Sequence, residues 1–515
     1  MKLLMTHGYM LSGSGSNVYV QNLCRALTRG GHEVHLLCQE DRPLDYDFVD
    51  EHCSVDREGT ESLRARETPY PGRCVVYNPK VGDLLPVYVY DDYPGWRVKT
   101  FLDLTDAELE NYLDRNVEGV SMVLGDSGAE AVVTNHSVPG PLIARRALER
   151  SRVPYASIVH GSCLQYVSRR SRKYMHLTGE GLAGAREILA LSAHSAGTIA
   201  EDFPRLVDRT RSLPGGVDTD LFRPNALDPN VLEELVGGPG RGPAQTAALV
   251  EALDRAEDAA DLAEALRSVA TTYEARSHDS DAGERLAVIL DGQSPLIVYL
   301  GKLIHSKGVH SLLSAFARVR KETGARLLIV GFGTFREGLE ALTFSLGAGD
   351  EANTRRLAES GKLLEGGPAS PLEHFGLGED LMRDAVGMDD DVAFIGPLEH
   401  PELAKILPAA DVAVVPSIFP ETFGLVAAEF AAAGVVPFVA DHSGLREAGA
   451  IVGRDLPFDL HIGMNRFEEN LARALTEFLL LPKQERSEHS RTVRCNSVSS
   501  LGWDKLAEKI VGVFG

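Results

Sequence analysis

Two glutamates, Glu421 and Glu429, are separated by seven residues in the stretch PETFGLVAAE. Alanines surround the second one, and this composition predicts a helix that is buried on most of its faces. An unpaired carboxylate in such a helix is unfavourable, or its pKa shifts. The hydroxyls of a vicinal diol can satisfy a buried carboxylate by donating hydrogen bonds to it. The alternative is one glutamate favoured by the helix dipole and one solvated glutamate, which the alanines disfavour.

Phosphate chemistry is indicated by the neighbouring residues and by two lysines. Residues 423–425 (FGL) are predicted to begin the helix, whose first N–H groups favour an anion such as phosphate. Lys302 and Lys307 follow a predicted strand at 295–301, so both can reach a diphosphate at the same sheet edge. The alternative is a pair of solvated surface lysines.

A second group of candidates lies in the N-terminal part of the chain. Gly15 follows the first predicted strand, in the loop that also contains Gly13. His136 and His160 end later predicted strands, where the alternative for each is a capped surface residue. Ser192 also ends a strand, and its position favours a plain helix cap.

The composition limits the classes of function. A chain of 515 residues is too long for one hydrophobic core, and 44% hydrophobic with 24% charged residues is typical of a globular protein. Acidic residues outnumber basic ones 74 to 52, and the net charge of −22 disfavours nucleic-acid binding. Six scattered cysteines, a start without signal-peptide features and no long apolar run predict a reduced, cytoplasmic protein without a transmembrane segment.

Strand-like runs alternate with helical patterns along most of the chain. KLLMTHG, the helical NVYVQNLCRALTRGGH and EVHLLCQE form a βαβ pattern, which predicts a parallel sheet. A second series runs from PLIVYLG through RLLIVGFG, DVAFIG and DVAVVPS to VVPFVAD. The sequence therefore predicts an α/β protein with two doubly wound halves. Two insertions, at about 225–290 and 341–385, are predicted to be decorating helices or an oligomer contact.

The stretch PSIFPETFGLVAAEFAAAGVVPFVADHSGLRE resembles the donor-site signature of retaining glycosyltransferases of the GT-B fold, family 4 (glycosyl transferases group 1). GKLIHSKG (301–308) resembles the phosphate-binding loop of that family, and VGFGTFRE resembles its next strand and turn. LPGGVDTDLFRP (213–224) resembles its interdomain segment, and GSGSNVYVQNLCRALTRGGHEVHLL its glycine loop and first helix. The chain departs from the family at Lys302, where arginine is usual, and at Ser14–Gly15, where adjacent glycines are common.

The resemblance implies a GT-B fold, in which two Rossmann-like domains face a central cleft. Residues 1–215 would form the N-terminal acceptor-side domain, and 216–289 an interdomain segment with a helical insertion. Residues 290–490 would form the C-terminal nucleotide-sugar-binding domain. A helix at 491–515 is expected to return to the N-terminal domain.

The resemblance also implies a reaction, the retaining transfer of a sugar from a nucleoside-diphosphate sugar to an unidentified acceptor. A UDP-sugar is the first choice of donor and GDP-mannose the second. Glu421 would bind hydroxyls of the transferred sugar, Glu429 the ribose, and His160 would lie near the reacting centre. The expected catalytic residues are Glu421, Lys302, Lys307 and His160, and the expected donor-binding residues are Gly15, Gly301, Gly333, Glu421, Thr422, Phe423, Gly424, Leu425 and Glu429.

We expect no cofactor and no metal, because the lysines and the helix terminus can supply the electrostatic role of a metal. Asp389, Asp390 and Asp391 precede a strand in a predicted loop and are interpreted as solvated. A homo-oligomer is compatible with the sequence.

Other classes of function are a non-catalytic nucleotide-sugar-binding protein and an NAD-dependent oxidoreductase. Gly13-x-Gly15 followed by Glu40 fits part of the dinucleotide fingerprint, but Val18 stands where the third glycine belongs.

The sequence does not identify the molecule that accepts the sugar. The cations Arg169, Arg170, Arg172 and Lys173 form either a solvated face or a seat for an anionic acceptor or an anionic membrane surface.

Overall fold

The structure is a computed structural model that describes residues 1–88, 93, 95–225, 227, 230–238, 240–270, 277–290 and 294–515. The chain divides into two compact units, Met1–Gly216 with Leu501–Gly515 and Val217–Ser500. Residues 217–289, predicted as an interdomain segment, cluster with the second unit. The predicted 491–515 helix is two helices that meet at Gly502, and only the second of them belongs to the first unit.

The strands of the first unit are β1 (Lys2–Thr6), β2 (Glu33–Leu37), β3 (Glu51–Asp56), β4 (Gly59–Ala65), β5 (Arg73–Pro79), β6 (Leu84–Val87), β7 (Arg97–Thr100), β8 (Ala131–Asn135), β9 (Tyr155–Val159), β10 (Glu187–Ala190) and β11 (Thr210–Ser212). Those of the second unit are β12 (Leu296–Leu300), β13 (Arg326–Val330), β14 (Val392–Phe394), β15 (Val412–Val415), β16 (Val436–Ala440) and β17 (His461–Ile462).

The helices up to the second insertion are α1 (Gly15–Arg29), α2 (Asp106–Ser127), α3 (Gly140–Ala147), α4 (Gly161–Tyr166), α5 (Arg172–Ala183), α6 (Ala193–Asp202), α7 (Asn230–Glu234), α8 (Pro243–Arg255), α9 (Ala259–Val269), α10 (Ala282–Ile289), α11 (Val309–Thr323) and α12 (Arg336–Gly347). The remaining ones are α13 (Glu351–Ser360), α14 (Glu379–Ala385), α15 (His400–Ile406), α16 (Leu425–Ala432), α17 (Ser443–Val452), α18 (Phe467–Leu479), α19 (Lys483–Leu501) and α20 (Trp503–Gly512).

Each unit is built on a twisted parallel sheet. Over the described ranges, the sheet of the first unit has the strand order β11-β10-β9-β8-β1-β2-β5-β3-β4, and β4 is antiparallel to β3. The sheet of the second unit has the order β14-β13-β12-β15-β16-β17, with parallel pairing throughout. In both, the order reverses beside the first strand of the unit, where open α/β sheets bind ligands. The predicted α/β, doubly wound fold class is confirmed.

The strands and helices follow local rules. All residues of β8, β9 and β16 are buried, as expected for parallel strands covered on both faces. Helix α1 begins after Ser14, whose hydroxyl accepts the N–H of Asn17, and ends at Gly30. The β3–β4 hairpin and the β6–β7 pair were not predicted.

Helix α20 completes the first unit. Asp504 forms an ion pair with Arg29 at 2.7 Å, and the Trp503 ring lies 5.0 Å from that of Tyr19. None of the helices in the described ranges is long and apolar enough to cross a membrane.

Candidate functional site

Three loops follow β12, β13 and β15 at the carboxyl edge of the second sheet, and we call residues 301–308, 331–335 and 416–424 the edge loops. The first two are in direct backbone contact, since the N–H of Leu303 donates to the carbonyl of Phe332 at 2.7 Å. Gly333 has a φ of 155°, and a Cβ there would lie 2.4 Å from the carbonyl oxygen of Leu303. A side chain at Gly333 would therefore push the two loops apart.

The first loop also packs against the third. The N–H of Ile418 donates to the carbonyl of Ser306 at 3.0 Å. The Lys307 ammonium pairs with the Glu421 carboxylate, which also accepts the hydroxyl of Ser417 at 2.7 Å. The fold thus joins Lys307 and Glu421, two predicted site residues that are far apart in the sequence.

The backbone of Glu421 is held by the start of α17. Its N–H donates to the hydroxyl of Ser443 at 2.8 Å, and its carbonyl accepts the N–H of Gly444 at 2.9 Å. His442 links the same groups, because its Nε2 lies 2.6 Å from the carbonyl of Ser417 and its Nδ1 lies 2.9 Å from the Ser443 hydroxyl. A neutral His442 protonated on Nε2 satisfies all of these contacts.

Helix α16 begins with a backbone turn that requires glycine. Gly424 has a φ of 97°, and a Cβ there would lie 2.5 Å from Cδ2 of Leu445. Phe423 is buried, and Thr422 packs against Gly444. The first two N–H groups of α16, those of Leu425 and Val426, have no acceptor within the helix, whereas that of Ala427 donates to the carbonyl of Gly424 at 3.0 Å. They begin four residues after Glu421, so an anion at this end of α16 would also be near Lys307.

Glu429 lies one turn further along α16, with its side chain 13% exposed. Burial raises the pKa of its carboxyl, and the nearby His400 opposes this shift. Nε2 of His400 lies 3.6 Å from Oε1 of Glu429, which is beyond hydrogen-bond distance. The ring of His400 is oriented edge-on to Phe222, with ring centroids 5.5 Å apart. The carboxylate of Glu429 is thus largely buried, with the ring of His400 beside it.

Tyr299, on β12, holds the backbone of Lys302 in the first edge loop. Its hydroxyl donates to the carbonyl of Lys302 at 2.9 Å. Burial and the charge of Glu421 raise the pKa of Tyr299 well above its ordinary value. Tyr299 is therefore a neutral donor that holds the backbone of Lys302.

In the first unit, β1, β8 and β9 are neighbours, and their carboxyl ends bring together His7, His136 and His160, which we call the histidine cluster. All three are less than 7% exposed. The ring centroid of His136 lies 4.7 Å from that of His160 and 5.7 Å from that of His7. Burial lowers the pKa of His7 to about 4 and that of His160 to about 3, and holds the pKa of His136 well below its ordinary value.

Two polar atoms of the histidine cluster have no hydrogen-bond partner in the described parts of the chain. Nε2 of His160 lies 3.2 Å from Oδ1 of Asn135, and Nε2 of His7 lies 3.0 Å from Oδ1 of Asn17. Among the described residues, nothing hydrogen-bonds to either ring nitrogen of His136. Buried polar groups are rarely left this way, so water or a ligand is expected to bind at these nitrogens.

The other residues singled out in the sequence lie in loops, at helix ends or in ion pairs. Gly13 has a φ of 92°, whereas Gly15 begins α1 and nothing lies within 4 Å of the position of a Cβ there. Ser192 caps α6 by accepting the N–H of Ser195. Asp391 pairs with Arg320, so the interpretation of all three aspartates as solvated was wrong for Asp391.

Acidic partners are present for two of the cations of the basic segment, which comprises Arg169, Arg170, Arg172 and Lys173. Arg169 bonds to Asp202 at 2.8 Å, and Lys173 pairs with Asp106. Over the ranges that the structure describes, no group of three His, Cys, Asp or Glu side chains could hold a metal ion.

Comparisons with known proteins identify the family. Residues 14–215 match the model of a glycosyl transferase 4-like domain, and residues 378–487 match the model of glycosyl transferases group 1. The chain belongs to the family-4 type of GT-B glycosyltransferases. The two matches lie in different units, and the second one contains the third edge loop with Glu421 and Glu429.

Among the curated relatives, the glycogen synthase of Mycobacterium tuberculosis is 31% identical over 153 residues, which are 30% of this chain and 27% of the relative. The matched stretches span about a third or less of the curated relatives' length. Two solved structures share the fold. Sucrose-phosphate synthase from Thermosynechococcus elongatus has a TM-score of 0.56 at 18% identity and covers 100% of this chain and 98% of its own.

The second is the Anabaena protein HepE, solved in complex with UDP and glucose, with a TM-score of 0.56 at 12% identity over 99% of this chain and 98% of its own. At these sequence identities the two structures show a shared fold and nothing more. The shared fold confirms the predicted GT-B class.

The acid that would bind the ribose in an oxidoreductase has other partners in this chain. Glu40, the acid of the partial dinucleotide fingerprint, accepts the N–H of Leu11 at 3.0 Å and the hydroxyl of Tyr46 at 3.1 Å. Sequence reasoning assigned no role to Ser417, His400, His442 and Ser443. Their positions directly after β15 and β16, or at the start of α15, were the available signal, since ligand-binding residues of open α/β sheets follow the strands.

Proposed function

We propose that this chain transfers a sugar from a nucleoside-diphosphate sugar to an acceptor hydroxyl, with retention of anomeric configuration and without a metal. The observation that carries the proposal is the pairing of Lys307 with Glu421 directly before the N-terminus of α16. A cation, a carboxylate and free helix N–H groups are thereby placed within one small region. A diphosphate bound to a sugar needs all three kinds of group.

The diphosphate is assigned to Lys307, Lys302 and the first turn of α16. The side chains of the Lys307–Glu421 pair are 27% and 21% exposed, and such partly exposed pairs contribute little to stability. A donor phosphate can therefore displace Glu421 from Lys307 at small cost. The released carboxylate is then free to accept hydrogen bonds from hydroxyls of the transferred sugar.

Glu429 is assigned to the ribose. Burial raises the pKa of its carboxyl, and the two hydroxyls of a ribose would stabilise the ionised form by donating hydrogen bonds to it. UDP is our first choice of nucleotide and GDP the second. The related fold of HepE, solved with UDP and glucose, supports the first choice.

In the proposed reaction, the bond between the anomeric carbon and the leaving phosphate oxygen breaks while the acceptor oxygen bonds to the same face of that carbon. The acceptor's proton passes to the leaving diphosphate. The lysines and the helix terminus stabilise the negative charge that develops on the diphosphate. Burial lowers the pKa of His160 to about 3, so its neutral ring can contribute a hydrogen bond but no positive charge.

We place the reaction in a reducing, cytoplasmic setting. All six cysteines are free thiols, five of them buried. Burial raises the pKa of Cys24 and Cys74, and this keeps these thiols protonated.

The test is incubation with radiolabelled UDP-glucose, UDP-galactose, UDP-N-acetylglucosamine and GDP-mannose, with and without EDTA. We expect slow hydrolysis of one donor that EDTA does not reduce. An NMR spectrum of the first product formed from an α-linked donor should show the α anomer. Binding of a nucleotide without turnover would indicate a non-catalytic binding protein, and a β product would contradict retention.

A further inference from the structure

The insertion predicted at 341–385 contributes a carboxylate to the edge loops. Glu365 ends the 3₁₀ helix Gly361–Glu365. Its Oε1 accepts the N–H of His305 at 2.9 Å and the hydroxyl of Thr334 at 3.2 Å. Glu365 therefore bridges the first edge loop, which carries Lys307, and the second edge loop, which contains Gly333.

The bond to His305 caps the turn that carries Lys307. The 3₁₀ helix His305–Lys307 follows Ile304, whose side chain provides no cap. The first N–H of a helix has no acceptor within the helix, so it needs one from elsewhere. Glu365 provides that acceptor from a residue 60 positions away. Because Lys307 ends the same short turn, its backbone is tied to Glu365 through one turn of helix.

The surroundings of Glu365 make this tie a strong one. Burial raises the pKa of Glu365, against the opposing effects of its two hydrogen bonds and of Lys362. Hydrogen bonds to a carboxylate are charge-assisted, and a low local dielectric strengthens them further. Leu303, earlier in the loop, is held by backbone bonds to the second edge loop, whereas His305 is held to that side by Glu365.

We propose that Glu365 is a positioning residue that sets Lys307 against the donor diphosphate, which makes the second insertion part of the donor site. The inference rests on the proposed function. Catalysis by a placed charge depends on its position, and a misplacement of about 1 Å can lower the rate about 100-fold. Removing Glu365 takes away the acceptor of the His305 N–H and loosens the turn that carries Lys307, while the bond from Ile418 to Ser306 and the Lys307–Glu421 pair remain.

The test compares Glu365→Ala, Glu365→Gln and Glu365→Asp in the full chain. Turnover is followed with radiolabelled UDP-glucose and GDP-mannose, and binding of UDP and GDP by calorimetry. Glu359→Ala is the matched control, because Glu359 is exposed on α13 of the same insertion.

We expect the turnover of the three variants to follow a defined order. Glu365→Ala is expected to lower turnover about tenfold or more and to weaken nucleotide binding by less than about threefold, since a placed charge acts mostly in the transition state. Glu365→Gln keeps an acceptor oxygen at the same reach, so its turnover should stay within about threefold of the parent. Glu365→Asp is shorter by one methylene and should lie between the two. If Glu365→Ala does not fold, the order of the other two decides: aspartate slower than glutamine supports the proposal, and equal rates overturn it.

A double variant distinguishes an effect of Glu365 on the position of Lys307 from a general loss of structure in the edge loops. Because Glu365 acts through Lys307, Lys307→Ala with Glu365→Ala should be no more than about threefold slower than Lys307→Ala alone. Losses that multiply would overturn the proposal, as would Glu365 variants that match Glu359→Ala. A parent protein that binds neither UDP nor GDP and hydrolyses neither donor would overturn the proposed function, and the role of Glu365 with it.

Discussion

The edge loops of the second unit and the histidine cluster of the first unit both lie where parallel strands end, yet their polar groups are satisfied differently. In the edge loops, Glu421 already has Lys307 and Ser417 as partners. In the histidine cluster, both ring nitrogens of His136 are buried without a hydrogen-bond partner in the described parts of the chain. The edge loops are therefore organised electrostatically before a ligand arrives. The histidine cluster needs water or a ligand to complete its hydrogen bonds.

The largest effect should come from removing the charge that organises the edge loops. Lys307→Ala is expected to lower turnover about 100-fold or more, as for other removed charge stabilisers. Lys302→Ala should act in the same direction. Steady-state hydrolysis of the donor measures both, with Lys321→Ala on α11 as a control. If magnesium or manganese restored the lost rate, the electrostatic role that we assign to the lysines would be wrong.

A smaller effect is expected at Glu429, the buried carboxylate of α16. Glu429→Gln should weaken nucleotide binding by about 1–3 kcal/mol, the scale of hydrogen bonds to a charged group. Because its pKa is raised, and because the ionised form is the better acceptor, affinity should rise with pH beyond the ordinary glutamate range. Calorimetry across pH measures this, and the glutamine variant should lose the dependence. An unchanged pH dependence in the variant would exclude Glu429 as its source.

The free energy of unfolding of the first unit should decrease at acidic pH because of the histidine cluster. The histidines of the cluster are neutral when folded and bind protons when unfolded below about pH 6.5, so stability is lost as pH falls from there toward about 4. Each such histidine contributes a slope of about 1.4 kcal/mol per pH unit. Both tryptophans of the chain, Trp96 and Trp503, lie in the first unit, so urea unfolding followed by their fluorescence reports on this unit.

His136→Asn should make the acid loss shallower by the contribution of one histidine, since asparagine tolerates the φ of 70° found at this position. The exposed His194→Asn serves as the control. The same slope in the His136 variant and in the parent would mean that His136 titrates normally in the folded protein.

The smallest effect is expected at the basic segment of the first unit. Arg170→Ala with Lys173→Ala should change the free energy of unfolding by less than about 1 kcal/mol and leave donor hydrolysis unchanged, because exposed pairs such as Lys173–Asp106 contribute little. Once an acceptor is known, its KM at low salt completes the test. If the KM for the acceptor is raised in the double variant at low salt and the difference from the parent disappears at high salt, this segment binds an anionic acceptor.

The sequence by itself determined the alternation of strands and helices in both units and the chemical type of the donor region, but not the β3–β4 hairpin or the β6–β7 pair. Local periodicity of the apolar residues distinguishes buried strands from amphipathic helices. The carboxyl ends of parallel strands lie at the same edge of the sheet. Local patterns were therefore enough to select Glu421, Glu429, Lys302 and Lys307. The C-terminal segment was predicted as one helix from the resemblance, whereas the structure has two helices that are separated at Gly502.

Only the tertiary structure decided which distant residues meet. Lys307 and Glu421 are 114 positions apart and pair because β12 and β15 are neighbours in the sheet. His400 reaches Glu429 from another helix, Glu365 reaches His305 from an insertion without a motif, and His7 meets His136 across adjacent strands. The physical reason is that sheet order and loop packing depend on the whole chain, whereas periodicity and capping depend on a few neighbouring residues.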